Sequence, residues 1–197
     1  MNPDDAPDIL IEVLEVFLNH ILYVRELYPA QIFKKRRAYN TPIYVSIFPP
    51  LNSYLYKILR AAHELKRNKE LQRLELLFYG DAMVSYERYS FQLSGEVALA
   101  DADQDNYLLN FEEQLRAALY MLAERAKPLQ KLPRDTKFKV LLHTTQAGFV
   151  RLSHNSNYQD FPWLHESLRS EPDKKEIDIL PLAKVVSMGV QIIAEIF

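Results

Sequence analysis

Residues Asp101 to Glu112, DADQDNYLLNFE, carry oxygen-bearing side chains at the spacing of a calcium loop. Asp101, Asp103 and Asp105 would supply the first ligands, and Glu112 the carboxylate at the twelfth position. Asn106 stands where such loops place glycine, and asparagine tolerates a left-handed backbone better than most residues. Leu108, Phe111 and Leu115 recur at helical spacing in the same stretch, which favours a helix capped by Asp105. The helical reading is preferred, so neither a metal nor a cofactor is expected.

Five histidines are spread as His20, His63, His143, His154 and His165. No pair has metalloprotease spacing, and nothing orders Ser153, His154, Asp160 and His165 into a hydrolytic set. The chain has no cysteine, which excludes disulfides and thiolate chemistry, and only four glycines, too few for the usual phosphate loops. No enzyme is expected. Lys34, Lys35, Arg36 and Arg37 form the one basic run, read as a loop. It offers few phosphate contacts, and a net charge of −2 gives no global field toward nucleic acid or acidic membrane. Strong direct nucleic-acid binding is not expected, nor a membrane partner, and the role of the run stays open. The lone tryptophan, Trp163, sits in NYQDFPWLHES, a polar stretch without periodicity, so its ring needs a partner from the core or from outside.

The elements that position these residues follow from periodicity. At 197 residues the chain fits one domain with a sizeable core. No apolar run is long enough to span a bilayer, and the acidic start MNPDDAPDIL has no basic leader region. Leu10, Val13, Leu14, Phe17, Ile21 and Val24 mark a first helix, apolar on most sides and ending before Pro29. IYVSIFPP reads as a short strand. A second helix runs from about Leu51 to Lys69 with Tyr54, Leu55, Ile58, Leu59, Ala62 and Leu65 on its buried face. LQRLELLFYG and MVSYERYSFQLSG read as a hairpin, Asp105 to Lys127 as a third helix and TKFKVLLHTT as a strand. From Gln146 to Lys175 the pattern dissolves, and the tail IDILPLAKVVSMGVQIIAEIF is strand-like. Mixed helices and strands without βαβ alternation give an α+β domain with an antiparallel sheet.

The string ILYVRELYPAQIFKKRRAYNTPIYVS, Ile21 to Ser46, resembles the HORMA-domain family. Within it the resemblance is strongest to the branch of non-catalytic subunits of translesion DNA polymerase zeta. LNSYL at Leu51, EQLRA at Glu113, FKVLLHT at Phe138, DFPW at Asp160 and ILPL at Ile179 continue the likeness in order. Residues 71 to 105 and the last ten carry little of it. Spindle-checkpoint and meiotic HORMA proteins, which bind other peptides, are the alternative branch.

The resemblance implies three helices packed on an antiparallel sheet, a core of about residues 7–145 and a C-terminal safety belt of about 146–197. It implies a nuclear adaptor for DNA repair, with the cytoplasm left open, that clamps a proline-containing peptide of the polymerase catalytic subunit. The peptide would add to a sheet edge under a belt that is mobile without a client, while the three-helix core stands without the tail. Tyr28, Tyr54, Phe138, Phe161, Trp163 and Leu164 are the implied peptide-binding residues, with Tyr54 and Trp163 forming a pocket for proline. Glu26, Lys35 and Arg116 fall at the family's HORMA–HORMA dimer surface. Ile179, Gln191 and Ile193 fall where the family meets the C-terminal domain of the translesion deoxycytidyl-transferase scaffold, with Ile193 in place of a tyrosine.

Overall fold

The structure, a computed structural model, describes residues 6–93, 104–158, 161–163 and 177–197. Helix α1, Ala6–Val24, is the centre of the molecule. Leu10, Val13, Leu14, Phe17, Leu18, Ile21 and Leu22 are all buried, as expected for a helix with apolar residues on most sides. Helix α2, Pro49–Arg67, starts with two prolines, whose fixed φ suits the first turn. It buries Leu51, Leu55, Ile58, Leu59, Ala62 and Leu65 on one stripe. Helix α3, Gln104–Ala126, buries Phe111, Leu115, Ala118, Leu119 and Leu122.

The basic run is not a loop. Phe33–Ala38 is strand β1, paired antiparallel with β2, Thr41–Ser46. Tyr39 and Asn40 join them with φ of 47° and 54°, the two left-handed residues of a tight hairpin turn. Strands β3, Leu71–Tyr79, and β4, Ser85–Leu93, form the expected hairpin. Strand β5, Lys137–Thr144, pairs with β3. The tail supplies β6, Asp178–Val185, and β7, Val190–Ile196. The sheet order is β5-β3-β4-β7-β6, antiparallel at every pairing.

Two departures concern the chain after Thr145. The segment read as irregular begins with a short helix, α4, Gln146–Ser153. The Thr145 side chain caps it by accepting from the Gly148 amide at 3.2 Å. The tail also belongs to the core. Leu182, Val185, Met188, Val190, Ile192 and Ala194 are buried in the same cluster as the helix faces, and β7 pairs with β4 from Glu87 to Leu93.

Candidate functional site

Strand β5 is an edge strand, bonded to β3 on one side only. Val140 lies opposite Leu76, and its N–H points away from β3 to the Tyr54 hydroxyl, at 3.0 Å. Groups in an antiparallel ladder alternate, so the amides of Phe138 and Leu142 face the same open side. Tyr54 reaches this edge from α2, beside the buried Leu55. Ser46 fixes the start of α2: its Oγ accepts from the Phe48 amide at 3.1 Å and its carbonyl from Asn52 at 3.0 Å.

Aromatic rings bracket β5 at both ends. At its start Phe138 meets Tyr54 edge-on at 5.4 Å and Tyr28 at 6.2 Å, and Tyr28 tilts against Phe48 at 6.3 Å. A cavity of about 380 Å³ opens there between Leu27, Tyr28, Tyr79, Lys137 and Phe138. Burial raises the Tyr28 phenol above its ordinary value. Burial raises Tyr54 as well, against the Val140 amide, which favours the phenolate. Both stay protonated at neutral pH, so Tyr54 keeps a proton to donate while it accepts one.

At the far end of β5, Trp163 stands 4.8 Å from Phe161 and 6.1 Å, edge-on, from Phe149. It packs on the small cluster of Ala62, Leu65, Leu71 and Leu152, and its Nε1–H donates to the Tyr158 carbonyl at 3.1 Å. Trp163 therefore has a partner of its own. Helix α4 holds this end in place. Arg151 donates to Glu64 at 2.9 Å and to Glu70, tying α4 to α2 and to the approach to β3. A Cβ at Gly148 would meet Thr144 Oγ1 at 2.3 Å and Glu70 Cβ at 3.1 Å, so only glycine fits without movement.

The expected pocket residues thus fall into two groups along one edge. Tyr28, Tyr54 and Phe138 form the first, Phe161 and Trp163 the second. Ala62 lies eight positions beyond Tyr54, about 12 Å along α2. Leu164 lies outside the described residues.

The other expected surfaces are also placed. Val190, Ile192 and Ala194 point inward, so Gln191 and Ile193 take the opposite face of β7. Ile179, opposite Glu195, joins them there and is 66% exposed. Arg116 is exposed on α3, Glu26 stands in the turn after α1 with φ 52°, and Lys35 is on β1. Asn106 to Glu112 lie within α3, which a calcium loop does not permit, and Asp101 and Asp103 lie outside the described residues. Asp105 sits inside the first turn rather than at the cap. Ser153 and His154 both bond back to the Val150 carbonyl at the end of α4, while Asp160 and His165 lie outside the described residues.

Two polar centres had no sequence signal beyond single residues. Arg25 pairs with Glu87, its Nε 2.9 Å from the carboxylate, with both side chains 5% exposed. Its guanidinium also donates to the carbonyls of Ala126 and Gln130, which fixes the chain that leads from α3 to β5. On the outer sheet face Glu75 meets His143 at 3.1 Å, with Arg73 and Arg88 beside it. Burial alone would raise this carboxyl, but the His143 hydrogen bond and charge, with the two arginines, hold it at about 2.

The chain belongs to the HORMA-domain family. Within that family its sequence is similar to the DNA polymerase zeta subunit 2 of Drosophila melanogaster, 45% identical over 97% of this chain and 96% of that protein. It is 32% identical to the mitotic spindle assembly checkpoint protein MAD2B of Danio rerio over 91% of this chain and 84% of the relative. No protein-family model matches it. In structure it is similar to a chain of the mitotic checkpoint complex, with a TM-score of 0.74, 22% identity and 96% of each chain covered. It is also similar to C. elegans HTP-2 bound to HTP-3 motif-6, with a TM-score of 0.71, 16% identity, and 100% of this chain and 92% of that one covered. The last two likenesses bear on the fold alone.

Proposed function

We propose that this protein is a non-enzymatic adaptor that takes up a short proline-containing peptide as an added strand on β5. Strand addition supplies backbone hydrogen bonds, and the flanking aromatic pockets select side chains. The observation that carries this reading is the Val140 amide, directed out of the sheet and held by the Tyr54 hydroxyl. A proline ring, with φ already fixed, suits the faces of Tyr28, Tyr54 and Phe138 at one end and Trp163 and Phe161 at the other.

The polymerase zeta relative favours the catalytic subunit of that polymerase as client, in the nucleus, in support of translesion synthesis and repair. The chain acts as a single domain, and the segment of about residues 146–197 serves as the belt over the peptide. Ile179, Gln191 and Ile193 offer the surface for the scaffold's C-terminal domain, and Glu26, Lys35 and Arg116 that for a second HORMA domain. Calorimetry with peptides tiled along the polymerase catalytic subunit tests the reading. One proline-containing segment should bind, and Trp163→Ala should weaken it by about 2 kcal/mol or more, as buried aromatic anchors do. Binding of spindle-checkpoint or meiotic peptides instead would move the protein to the other branch of the family.

A further inference from the structure

Strand β1 carries Lys34, Lys35, Arg36 and Arg37, all exposed, and none is in an ion pair among the described residues. Residues alternate faces on a strand, so Lys35 and Arg37 share the face of Phe33, and Lys34 and Arg36 take the other. The first face is aromatic. Lys35 lies opposite Tyr44, whose ring stacks on Tyr23 at 3.7 Å and 14°. Tyr23 also meets Phe33 edge-on at 5.5 Å. Tyr23 and Tyr44 are only half-buried.

This stack opens into a groove of about 860 Å³ between the end of α1 and the end of α3. Tyr23, Tyr28, Pro29, Pro133, Lys127 and Arg134 line it. Its carboxylate, Glu26, is 3.8 Å from Lys131, and Lys127 is paired with Glu124. Arg134 and the cations of β1 are in no ion pair among the described residues and stand beside half-buried rings.

We propose that this groove and the Lys35/Arg37 face of β1 bind single-stranded nucleic acid. Phosphates would pair with Lys35, Arg37 and Arg134, and an unpaired base would stack on the Tyr23–Tyr44 pair. Cations beside stacking rings are the sequence-tolerant means of holding a single strand. A duplex hides its base faces and could use only the cations. Lysine and arginine on an exposed edge also deter strand pairing, but that role needs no aromatic rings on the same face. With about three phosphate contacts the affinity is modest, with a dissociation constant on the order of 1–100 μM at physiological salt.

Fluorescence anisotropy with a labelled thymidine strand of about 20 nucleotides is the test, with circular dichroism and sedimentation on each variant. Binding should fall with salt at a log–log slope of about −2. Lys35→Glu with Arg37→Glu should weaken it about tenfold or more and flatten the slope by about 1.4. Lys34→Glu with Arg36→Glu makes the same change of charge on the other face and should cost less than about threefold. The proposal is overturned if the wild type does not bind, or if both double variants lose equally. It is also overturned if duplex DNA or polyglutamate binds as tightly, or if the loss merely tracks dissociation of a dimer.

Discussion

The two edges of the five-stranded sheet are closed by different means. At β6 the closure is built into the chain. Pro181 has no N–H to offer, and Arg125 of α3 donates to the Pro181 carbonyl and to that of Leu182 at 3.2 Å. At β5 the Val140 amide is met only by a hydroxyl on a side chain that can rotate away. An unpaired edge is a template for another strand, and proteins blunt it unless it has a use. The difference is the reason the proposed peptide strand is placed on β5, where the aromatic rings also stand.

The largest test removes one side of that contrast. Deleting the chain after Pro172 strips six buried residues from the core and uncovers β4. At roughly 1.5–3 kcal/mol for each large side chain, the loss is on the order of 10 kcal/mol, comparable to the whole stability of a domain. Thermal melting by circular dichroism should show no cooperative transition. A core that still melts cooperatively would mean that the tail is an accessory rather than part of the fold.

Arg25→Met breaks the approach to β5 from within. It leaves Glu87 buried and uncompensated beside the Tyr89 hydroxyl, which donates to it at 2.6 Å. A loss of about 3–5 kcal/mol in urea unfolding is expected, as for one half of a buried pair.

His20 of α1 bonds to α3 rather than to either edge strand, and so serves as a control. Its Nε2 is 3.1 Å from the Leu119 carbonyl of α3, and its Nδ1 is buried without a partner among the described residues. Burial pushes the ring down to about 4, against the Leu119 hydrogen bond. The folded state therefore binds fewer protons than the unfolded state between about pH 6.5 and 4. Stability is full above pH 6.5 and is lost as pH falls through that window, by up to about 3 kcal/mol. His20→Gln should flatten the pH dependence of the melting temperature there.

The smallest effect separates ring from hydroxyl at the receptive edge. Tyr54→Ala should weaken peptide by about 2 kcal/mol, because the anchor ring is lost. Tyr54→Phe keeps the ring and frees the Val140 amide, so peptide affinity should hold or rise in calorimetry. Equal losses would mean that the hydroxyl itself binds the peptide.

The helices were legible because burial repeats at helical spacing: Leu10, Val13, Leu14, Phe17 and Ile21 of the first helix are all buried. Strand β1 was not, because four consecutive cations hide the alternation and pairing with β2 alone makes it a strand. Its one signal was Tyr39-Asn40, a turn pair that was not read. Helix α4 was missed because eight residues are too few for a period, though Thr145 at its cap was visible. The tail was read as strand from its β-branched residues. That it completes the core is a long-range fact that no local pattern carries. Tyr54 and Trp163 were named as pocket residues from the resemblance alone, and that they stand toward opposite ends of β5 was visible only in three dimensions.

Hydrogen exchange of the β5 amides, with and without the polymerase peptide, tests the central claim most directly. The account predicts that Phe138, Val140 and Leu142 gain protection on binding while β6 stays unchanged. Tight peptide binding with the β5 amides unaltered, or with new protection along β6, would contradict it.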